Sequence, residues 1–306
     1  MRSNHIDSPF FRKIIVLSLI LAFIPTLVSA QNKSIKDDVG NVFNLTAAPQ
    51  RLISLAPNIT EILFCLGLGE KIIGVTRYCD YPIAALQKEK IGGLLDPDIE
   101  KIKALNPDLI IAFRGNPLNT LKKLQVLHLP VFILDIGNDL ESVLKIIEKI
   151  GRITHSDREA AALLKTLSDK YQKVEEALAG VIDKPRVFLN LHSLGLWTCG
   201  KESYLNDLFL KAKSLNIAGR IAKKWLEYKK EQLIKDNPDV IIILAKTEDD
   251  FVAAQNLFRR QSGLREIRAV KTGRIYFLDE NITSRFGPRL YDALAELARL
   301  LHPERF

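Results

Sequence analysis

Aromatic and polar side chains that follow predicted strands are the residues best suited to chemistry in this chain. They lie in four short segments, with Trp225 as a further aromatic candidate: Tyr78–Pro82, Phe113–Asn116, Leu196–Ser203 and Asn281–Arg285. In α/β proteins the loops after strands form the ligand-binding edge of a sheet. Tyr and Trp pack on flat ligands, while Asn and Arg bind amides and anions. A single aromatic residue is more often part of a core, but their clustering predicts a cleft for a large, flat ligand with amide or anionic groups.

Catalytic and metal-binding patterns are absent from the sequence. Beyond the first thirty residues, none of the histidines lies four positions from another or beside a pair of cysteines, so no zinc spacing exists. No GxSxG, P-loop or HExxH motif occurs. His192, at the end of a predicted strand, could face a ligand, although a structural role is the commoner one. We therefore expect a binding protein with no catalytic residue, bound metal or cofactor; an exported metal-dependent enzyme that uses the same cleft is the alternative.

One long amphipathic helix is predicted from about Ser156 to Gly180. Its apolar residues recur at helical spacing along one face. Ser156 is the predicted N-cap, Glu159 completes a capping box, and Gly180 is the predicted stop. At about 1.5 Å per residue such a helix is roughly 36 Å long, which is enough to cross a small domain.

A fourteen-residue pattern occurs on both sides of this helix. It reads DIEKIKALNPDLII from Asp98 to Ile111 and KKEQLIKDNPDVII from Lys229 to Ile242. Each copy predicts a helix, an Asn-Pro-Asp turn and a buried strand. Chance is the alternative, because such joints are common in α/β proteins, but the strands that begin at Arg51 and Arg186 keep nearly the same spacing from the two copies. We therefore expect two similar lobes.

Strands and helices alternate through both halves of the chain. The predicted strands are 51–56, 72–76, 109–113, 131–135, 186–191, 240–245 and 275–278, and the predicted helices 99–105, 117–128, 139–150, 203–212, 228–236, 249–260 and 287–301. This alternation predicts an α/β fold of two Rossmann-like lobes with mostly parallel sheets, joined by the long helix, with the ligand cleft between them. The predicted boundaries are 31–155 for the N-terminal lobe, 156–180 for the connecting helix and 181–306 for the C-terminal lobe.

Two helix starts in the first lobe have cap-like sequences. Asn58 with Glu61 predicts a second capping box, after a short hairpin-like lead and the first strand. Asp96 is the predicted N-cap of the helix near 99–105, with Pro97 at its first position.

The first thirty residues have the features of a signal peptide. Arg12 and Lys13 precede the apolar run Ile14–Val28, and Ala30 ends a small-x-small cleavage site. A membrane anchor is the alternative, but Pro25 interrupts the run and its length falls short of a span. No cysteine follows the cleavage site, so a lipid anchor is not indicated. We expect a soluble, exported protein, cut after Ala30.

Charge and cysteine usage narrow the possible partners. The formal net charge of +8 falls by two without the first thirty residues, because they hold three cationic residues and one acidic residue. Lys and Arg are scattered, which does not indicate a nucleic-acid interface. A bridge between Cys65 and Cys79 is possible in an exported protein, whereas Cys199 is expected to be unpaired. We expect a monomer that does not bind nucleic acid.

Six segments spread over the chain carry a family resemblance: RLISLAPNITEI, RYCDYP, IEKIKALNPDLIIAFRG, KPRVFLNL, TCGKES and SRFGPRL. On these segments the chain resembles the helical-backbone class of periplasmic substrate-binding proteins, and within it the cobalamin (vitamin B12)-binding components of ABC importers. The resemblance implies capture of cobalamin or a related corrinoid and its delivery to the permease, the transmembrane subunits of an inner-membrane ABC importer. A ferric siderophore or haem is the alternative ligand.

The resemblance also implies roles for individual ligand-binding residues. Tyr78 matches the tyrosine that packs on the corrin ring, and Trp197 and Trp225 fall where the family has aromatic cleft residues. The loop that contacts the ligand from the other side matches Asn281, Ile282, Thr283, Ser284 and Arg285. Leu94, Asn281 and Ala212 depart from the family's Trp, Asp and Cys.

Two glutamates at equivalent positions of the fourteen-residue pattern are the remaining site residues that the resemblance implies. Glu100 and Glu231 match the lobe-tip glutamates that dock onto arginines of the permease, one from each lobe. Their alternative role is that of exposed helix charges with little energetic weight. A pair of equivalent acidic side chains would suit a two-fold symmetric transporter.

Overall fold

The computed structural model describes residues 34–44, 46–191 and 195–306. The predicted signal peptide with its cleavage site after Ala30, and His192, lie outside these residues. Within the described ranges, every helix is too short or too polar to span a bilayer. Residues 34–306 form one compact unit, and the lobe boundaries at 155 and 181 stay a prediction.

The first sheet consists of four parallel strands. After an antiparallel pair, β1 (Ile35–Lys36) and β2 (Val42–Phe43), come β3 (Leu52–Ser54), β4 (Ile72–Val75), β5 (Leu109–Phe113) and β6 (Val131–Leu134), and the spatial order is β4-β3-β5-β6. The helices are α1 (Pro57–Cys65), α2 (Ile99–Ala104), α3 (Leu118–Val126) and α4 (Leu140–Ile153), with short 3-10 turns at Gly69–Lys71 and Ile83–Gln87. We call this part the first lobe.

The second lobe repeats this arrangement. Its parallel strands β7 (Arg186–Leu191), β9 (Leu215–Asn216), β11 (Val240–Ala245) and β12 (Ile275–Asp279) lie in the order β12-β11-β7-β9, and β8 (Trp197–Cys199) pairs with β10 (Trp225–Glu227) in a separate antiparallel ribbon. The helices are α6 (Tyr204–Lys211), α7 (Lys230–Asp236), α8 (Glu248–Arg260), α9 (Arg268–Lys271), α10 (Glu280–Thr283) and α11 (Leu290–Leu301), with 3-10 turns at Leu264–Glu266 and Pro303–Arg305. Numbered by sequence within each lobe, the strands of both sheets lie in the order 2-1-3-4. The predicted pair of similar α/β lobes with parallel sheets is confirmed.

The long helix α5 (Asp157–Ala177, 21 residues) lies between the two sheets in sequence. It packs against α4 of the first lobe and α11 of the second. Its fully buried residues, Ala160, Leu167 and Val174, are spaced by seven, so they share one helix face. A Cβ at Gly151 would lie 2.5 Å from the Cβ of Ala160, so glycine is what allows α4 and α5 to touch.

The two copies of the fourteen-residue pattern have the same local structure. Asn106 (φ 45°) and Asn237 (φ 44°) both adopt the left-handed conformation that ends the helix, which Asn tolerates better than most residues. The following aspartates then hold the start of the neighbouring central strand. Asp108 accepts the backbone N–H of Arg51 at 2.9 Å, as Asp239 accepts that of Arg186 at 2.9 Å.

One predicted helix cap is confirmed in position only, and two were wrong. Ser156 is the N-cap of α5, but its side chain makes no capping hydrogen bond. Helix α1 begins at Pro57 after Ala56, so Asn58 lies inside the helix. Asp98, rather than Asp96, caps α2 by accepting the Lys101 N–H at 3.0 Å.

The possible bridge between Cys65 and Cys79 is not formed. All three cysteines are free, with Cys65 exposed and Cys79 and Cys199 buried. The Cys79 sulfur instead contacts two hydroxyls, those of Thr60 at 3.2 Å and Thr76 at 3.1 Å.

Candidate functional site

A cavity of about 640 Å³ lies where loops of both lobes converge. Each parallel strand of the first lobe contributes a residue at or just after its carboxyl end, and the second lobe contributes residues that follow β11 and β12, together with Trp225 of β10. The full lining is Ala56, Pro57, Asn58, Tyr78, Leu94, Leu95, Asp96, Phe113 and Ile136 from the first lobe, and Tyr204, Trp225, Lys246, Glu280, Asn281, Ser284, Arg285 and Phe286 from the second. The predicted position of the binding edge, after the strands, therefore agrees with the geometry.

Two large aromatic rings stand partly exposed in this cavity, one from each lobe. Tyr78 is 53% exposed and Trp225 is 41% exposed. Trp225 is held by Tyr204, whose ring meets it edge to face at 6.3 Å, and Tyr204 in turn packs on Phe286 at 5.1 Å. The Tyr204 hydroxyl donates to the Thr283 carbonyl oxygen at 2.8 Å, and burial raises its pKa, so it stays protonated. The ring of Trp225 is thus fixed before any ligand arrives.

The predicted second-lobe contacts divide into two groups. Asn281, Ser284 and Arg285 line the cavity. Ile282 packs against the core, and Thr283 is fully buried with its hydroxyl donating to the Asp279 carbonyl oxygen at 2.8 Å. The side chains of Ile282 and Thr283 therefore support the helix α10 rather than face the cavity.

Trp197 lies beside the cavity rather than in its lining. In the ribbon of β8 and β10 it stands opposite Glu227, two residues after Trp225, so both tryptophans are on the same face of the ribbon. Trp197 is 42% exposed. A ligand that extends beyond the cavity along this ribbon would cover it.

Direct hydrogen bonds join the two lobes beneath the cavity. The Arg289 guanidinium of the second lobe donates to both carboxylate oxygens of Glu61 in α1, at 2.6 and 2.9 Å. The Glu61 side chain is 1% exposed. Asn58 donates to the Phe286 carbonyl oxygen at 3.1 Å. Burial raises the pKa of the Glu61 carboxyl, while the hydrogen bond and charge of Arg289 oppose that rise.

Each charged side chain in the lining faces a partner of opposite charge. Asp96 pairs with Arg77, Arg285 pairs with Asp80 at 2.8 Å, and Lys246 lies 3.9 Å from Glu280. The lining therefore offers aromatic faces and hydrogen-bonding groups rather than an uncompensated charge. Such a surface suits a large ligand with neutral amides better than a strongly charged one.

The part of the chain that the structure describes contains no cluster of metal-binding side chains. There, no three His, Cys, Asp or Glu side chains cluster as a metal site would require. The described lining contains neither His, Cys nor Met, and Tyr78, 53% exposed, is the exposed phenol in it that could ligate haem iron.

The two candidate docking glutamates occupy equivalent positions. Glu100 is the second residue of α2 and Glu231 the second residue of α7, and both are exposed. Glu231 also borders a groove of about 400 Å³ with Tyr228, Leu257 and Gln261 among its walls. The structure contains no partner chain, so the docking role stays a prediction.

Several lining residues were not predicted from the sequence. The sequence predicts Asn58 as an N-cap, Phe286 lies in the SRFGPRL segment without a predicted role, and Tyr204, Lys246 and Glu280 belong to no motif. For Lys246 and Glu280 a signal existed, because each directly follows a buried strand. Tyr204 and Phe286 reach the cavity through tertiary packing, which no local pattern reveals.

Comparison with known proteins gives a family match over most of the chain. The pattern of a family described as periplasmic binding protein matches residues 52–282. An uncharacterized ABC transporter substrate-binding lipoprotein of Bacillus subtilis is 29% identical over 277 residues, covering 88% of this chain and 86% of that protein. A vitamin B12-binding protein of Pectobacterium atrosepticum is 29% identical over 259 residues, covering 83% of this chain and 89% of that protein.

Solved structures with the same fold include binders of other ligands. A possible iron-binding periplasmic solute-binding protein from Staphylococcus epidermidis is 28% identical with a TM-score of 0.74, over 84% of this chain and 100% of that chain. A periplasmic heme-binding protein from Pseudomonas aeruginosa is 26% identical with a TM-score of 0.73, over 83% of this chain and 93% of that chain.

Proposed function

The chain belongs to the periplasmic binding protein family, whose members serve ABC transporters as substrate-binding proteins, and on that premise we propose that it captures cobalamin or a related corrinoid in the cleft between its lobes. In this proposal the loaded protein delivers the corrinoid to the inner-membrane permease. It acts without catalysis and carries its ligand as cargo rather than as a cofactor.

The observation that carries the proposal is the pair of aromatic rings from opposite lobes in one cavity of about 640 Å³. Tyr78 would pack on one side of the corrin, and Trp225 with the Asn281–Arg285 segment would contact it from the other. When the Tyr78 and Trp225 rings both pack on a flat ligand, apolar surface is removed from water. This burial supplies most of the binding free energy. Because the charged side chains of the lining are already paired, hydrogen bonds to the peripheral amides of a corrinoid would be the main polar contacts.

The position of Trp197 beside the cavity supports a ligand that is larger than the cavity. Trp197 continues the aromatic face of Trp225 along the same ribbon, so a ligand as large as cobalamin would cover both. Vitamin B12-binding relatives over more than four fifths of the chain add to this reading. Leu94, which lines the cavity where the resemblance expects Trp, makes the first-lobe wall less aromatic.

Export and docking complete the proposal. Residues 1–30 would direct the chain to the periplasm, with cleavage after Ala30. Glu100 and Glu231 would then bind arginines of the permease, one in each symmetric half, through charge complementarity that speeds encounter and fixes orientation.

Haem or a ferric siderophore is the second candidate, favoured by the heme-binding and iron-binding structural relatives. Tyr78 is then the exposed phenol that could ligate iron. A metal-dependent enzyme has less support, because the described residues contain no group of three or more His, Cys, Asp or Glu side chains that could hold a metal ion.

Ligand titrations of the mature protein distinguish these candidates. Calorimetry with cyanocobalamin, haemin and a ferric hydroxamate siderophore should give one-to-one binding of cyanocobalamin at micromolar or tighter affinity, with the other two weaker. Tyr78→Phe keeps the ring and removes the hydroxyl, so it should leave corrinoid affinity within about twofold, whereas Tyr78→Ala should lower it about tenfold. If the protein instead prefers haemin and loses that binding in Tyr78→Phe, the ligand is haem rather than a corrinoid.

A further inference from the structure

Arg285 spans the gap between the lobes on the side of the cavity. It belongs to the second lobe, and its Nη1 donates to the Tyr78 carbonyl oxygen at 3.0 Å while its Nη2 donates to Asp80 Oδ2 at 2.8 Å. Both acceptors lie in the loop that follows β4 of the first lobe. The Arg285 side chain is only 15% exposed, so its guanidinium is committed to these contacts.

The same loop is held at further points. Arg289, four residues after Arg285, stacks its guanidinium over the Tyr81 ring at 3.9 Å from the ring centre. From the first lobe, Lys90 Nζ donates to the Cys79 carbonyl oxygen at 3.0 Å and to that of Ala85 at 2.9 Å. Tyr78 is therefore an exposed residue of a segment that is held by hydrogen bonds and stacking from both lobes.

We propose that Arg285, Asp80 and the Tyr78 carbonyl form an interlobe latch that restricts the lobe separation on the cavity side and positions the Tyr78 ring. Arg285 is then a positioning residue in addition to a lining residue. The expected effect on ligand dissociation rests on the proposed function, whereas the expected effect on lobe separation does not. The latch holds the loop that carries Tyr78 against the second lobe, so a bound ligand leaves only after the latch opens.

Asp80 allows the latch to be tested without altering the cavity lining. It is absent from the lining, and its side chain is 50% exposed. Asp80→Asn keeps the shape and removes the charge that holds Arg285, and loss of an exposed ion pair has little effect on global stability. Asp80→Glu restores the charge and serves as the conservative rescue.

The first measurement is the distance between the lobes in the ligand-free protein. Spin labels at Lys122→Cys on α3 and Glu248→Cys on α8, both exposed sites, report the lobe separation in a Cys65→Ser background that removes the exposed native thiol. We expect Asp80→Asn to broaden the distance distribution and Asp80→Glu to restore it. An unchanged distribution in Asp80→Asn overturns the latch, whatever the ligand does.

The second measurement is the dissociation rate of cyanocobalamin by stopped flow. We expect Asp80→Asn to raise this rate at least fivefold, with the association rate within twofold of wild type, because the latch acts after the ligand has entered. An unchanged dissociation rate in Asp80→Asn, with weaker binding only in Arg285→Met, would mean that Arg285 is a direct ligand contact and that the positioning role is wrong. If wild type does not bind cyanocobalamin, the proposed function fails while the distance measurement still decides on the latch.

Discussion

Replacing Arg289 by Ala should destabilise the protein more than any ordinary surface change. The substitution leaves the Glu61 carboxylate, 1% exposed, without the guanidinium that contacts both of its oxygens at 2.6 and 2.9 Å. Breaking a buried ion pair from one side costs about 3–5 kcal/mol, because the remaining charge is buried and unpaired. Lost stacking on Tyr81 adds about 0.5–1 kcal/mol. Against a typical total of about 5–15 kcal/mol, this is a large fraction of the stability.

Chemical denaturation followed by circular dichroism measures this loss. Arg299→Ala, an exposed arginine on α11, is the matched control and should change the free energy of unfolding by less than about 0.5 kcal/mol. Glu61→Gln combined with Arg289→Ala should recover part of the loss, because no charge is then buried. An Arg289→Ala protein within about 1 kcal/mol of wild type would refute the reasoning.

The pH dependence of the same variant gives an independent check. Burial already raises the pKa of Glu61, and Arg289 opposes the rise, so removing Arg289 must raise the pKa further. A carboxyl whose folded pKa exceeds its unfolded value binds a proton first in the folded state, which gains stability as the pH falls through the folded pKa. The deficit of Arg289→Ala relative to wild type should therefore shrink between pH 7 and pH 5. A deficit independent of pH would show that Glu61 is not the source of the loss.

Two further predictions concern the predicted docking residues and the thiols. Glu100→Ala with Glu231→Ala should abolish transport in cells while leaving ligand affinity within twofold, whereas the exposed control Glu248→Ala should transport normally; a loss of affinity in the double variant would contradict a docking role. A thiol reagent should modify only Cys65 in the folded protein and all three cysteines after unfolding, because Cys79 and Cys199 are buried and burial raises the pKa of Cys199 to about 12. Fewer than three reactive thiols in denaturant without reductant would indicate a disulfide.

The strands and the relation of the two lobes could be predicted from the sequence because their signals are local. Strand β11 is buried at all six residues and reads as an uninterrupted apolar run. The Asn-Pro-Asp turns specify a left-handed helix end and an aspartate that binds the next strand, and both copies do so. These local interactions do not depend on how distant parts of the chain pack.

The capping box at Asn58 and Glu61 failed for the opposite reason. Its residue types match the local pattern, but Pro57 already starts the helix, and the two side chains bind Phe286 and Arg289, 228 residues away. Tyr204 likewise reaches the cavity only because α6 packs beside Phe286 and Trp225. Contacts of this separation depend on how the lobes meet, which periodicity and spacing do not encode.

The central claim is that the cleft between the lobes binds a corrinoid, and a calorimetric titration of wild type and Trp225→Ala with cyanocobalamin tests it most directly. Trp225 is 41% exposed, which corresponds to about 60–100 Å² of a side chain that buries about 150–250 Å² in full. At about 25 cal/mol per Å², covering that area contributes roughly 1.5–2.5 kcal/mol, or about 10–60-fold in affinity. We expect one-to-one binding to wild type, weakened at least tenfold in Trp225→Ala. Equal affinity of the two proteins would place the ligand outside the cleft and contradict this claim.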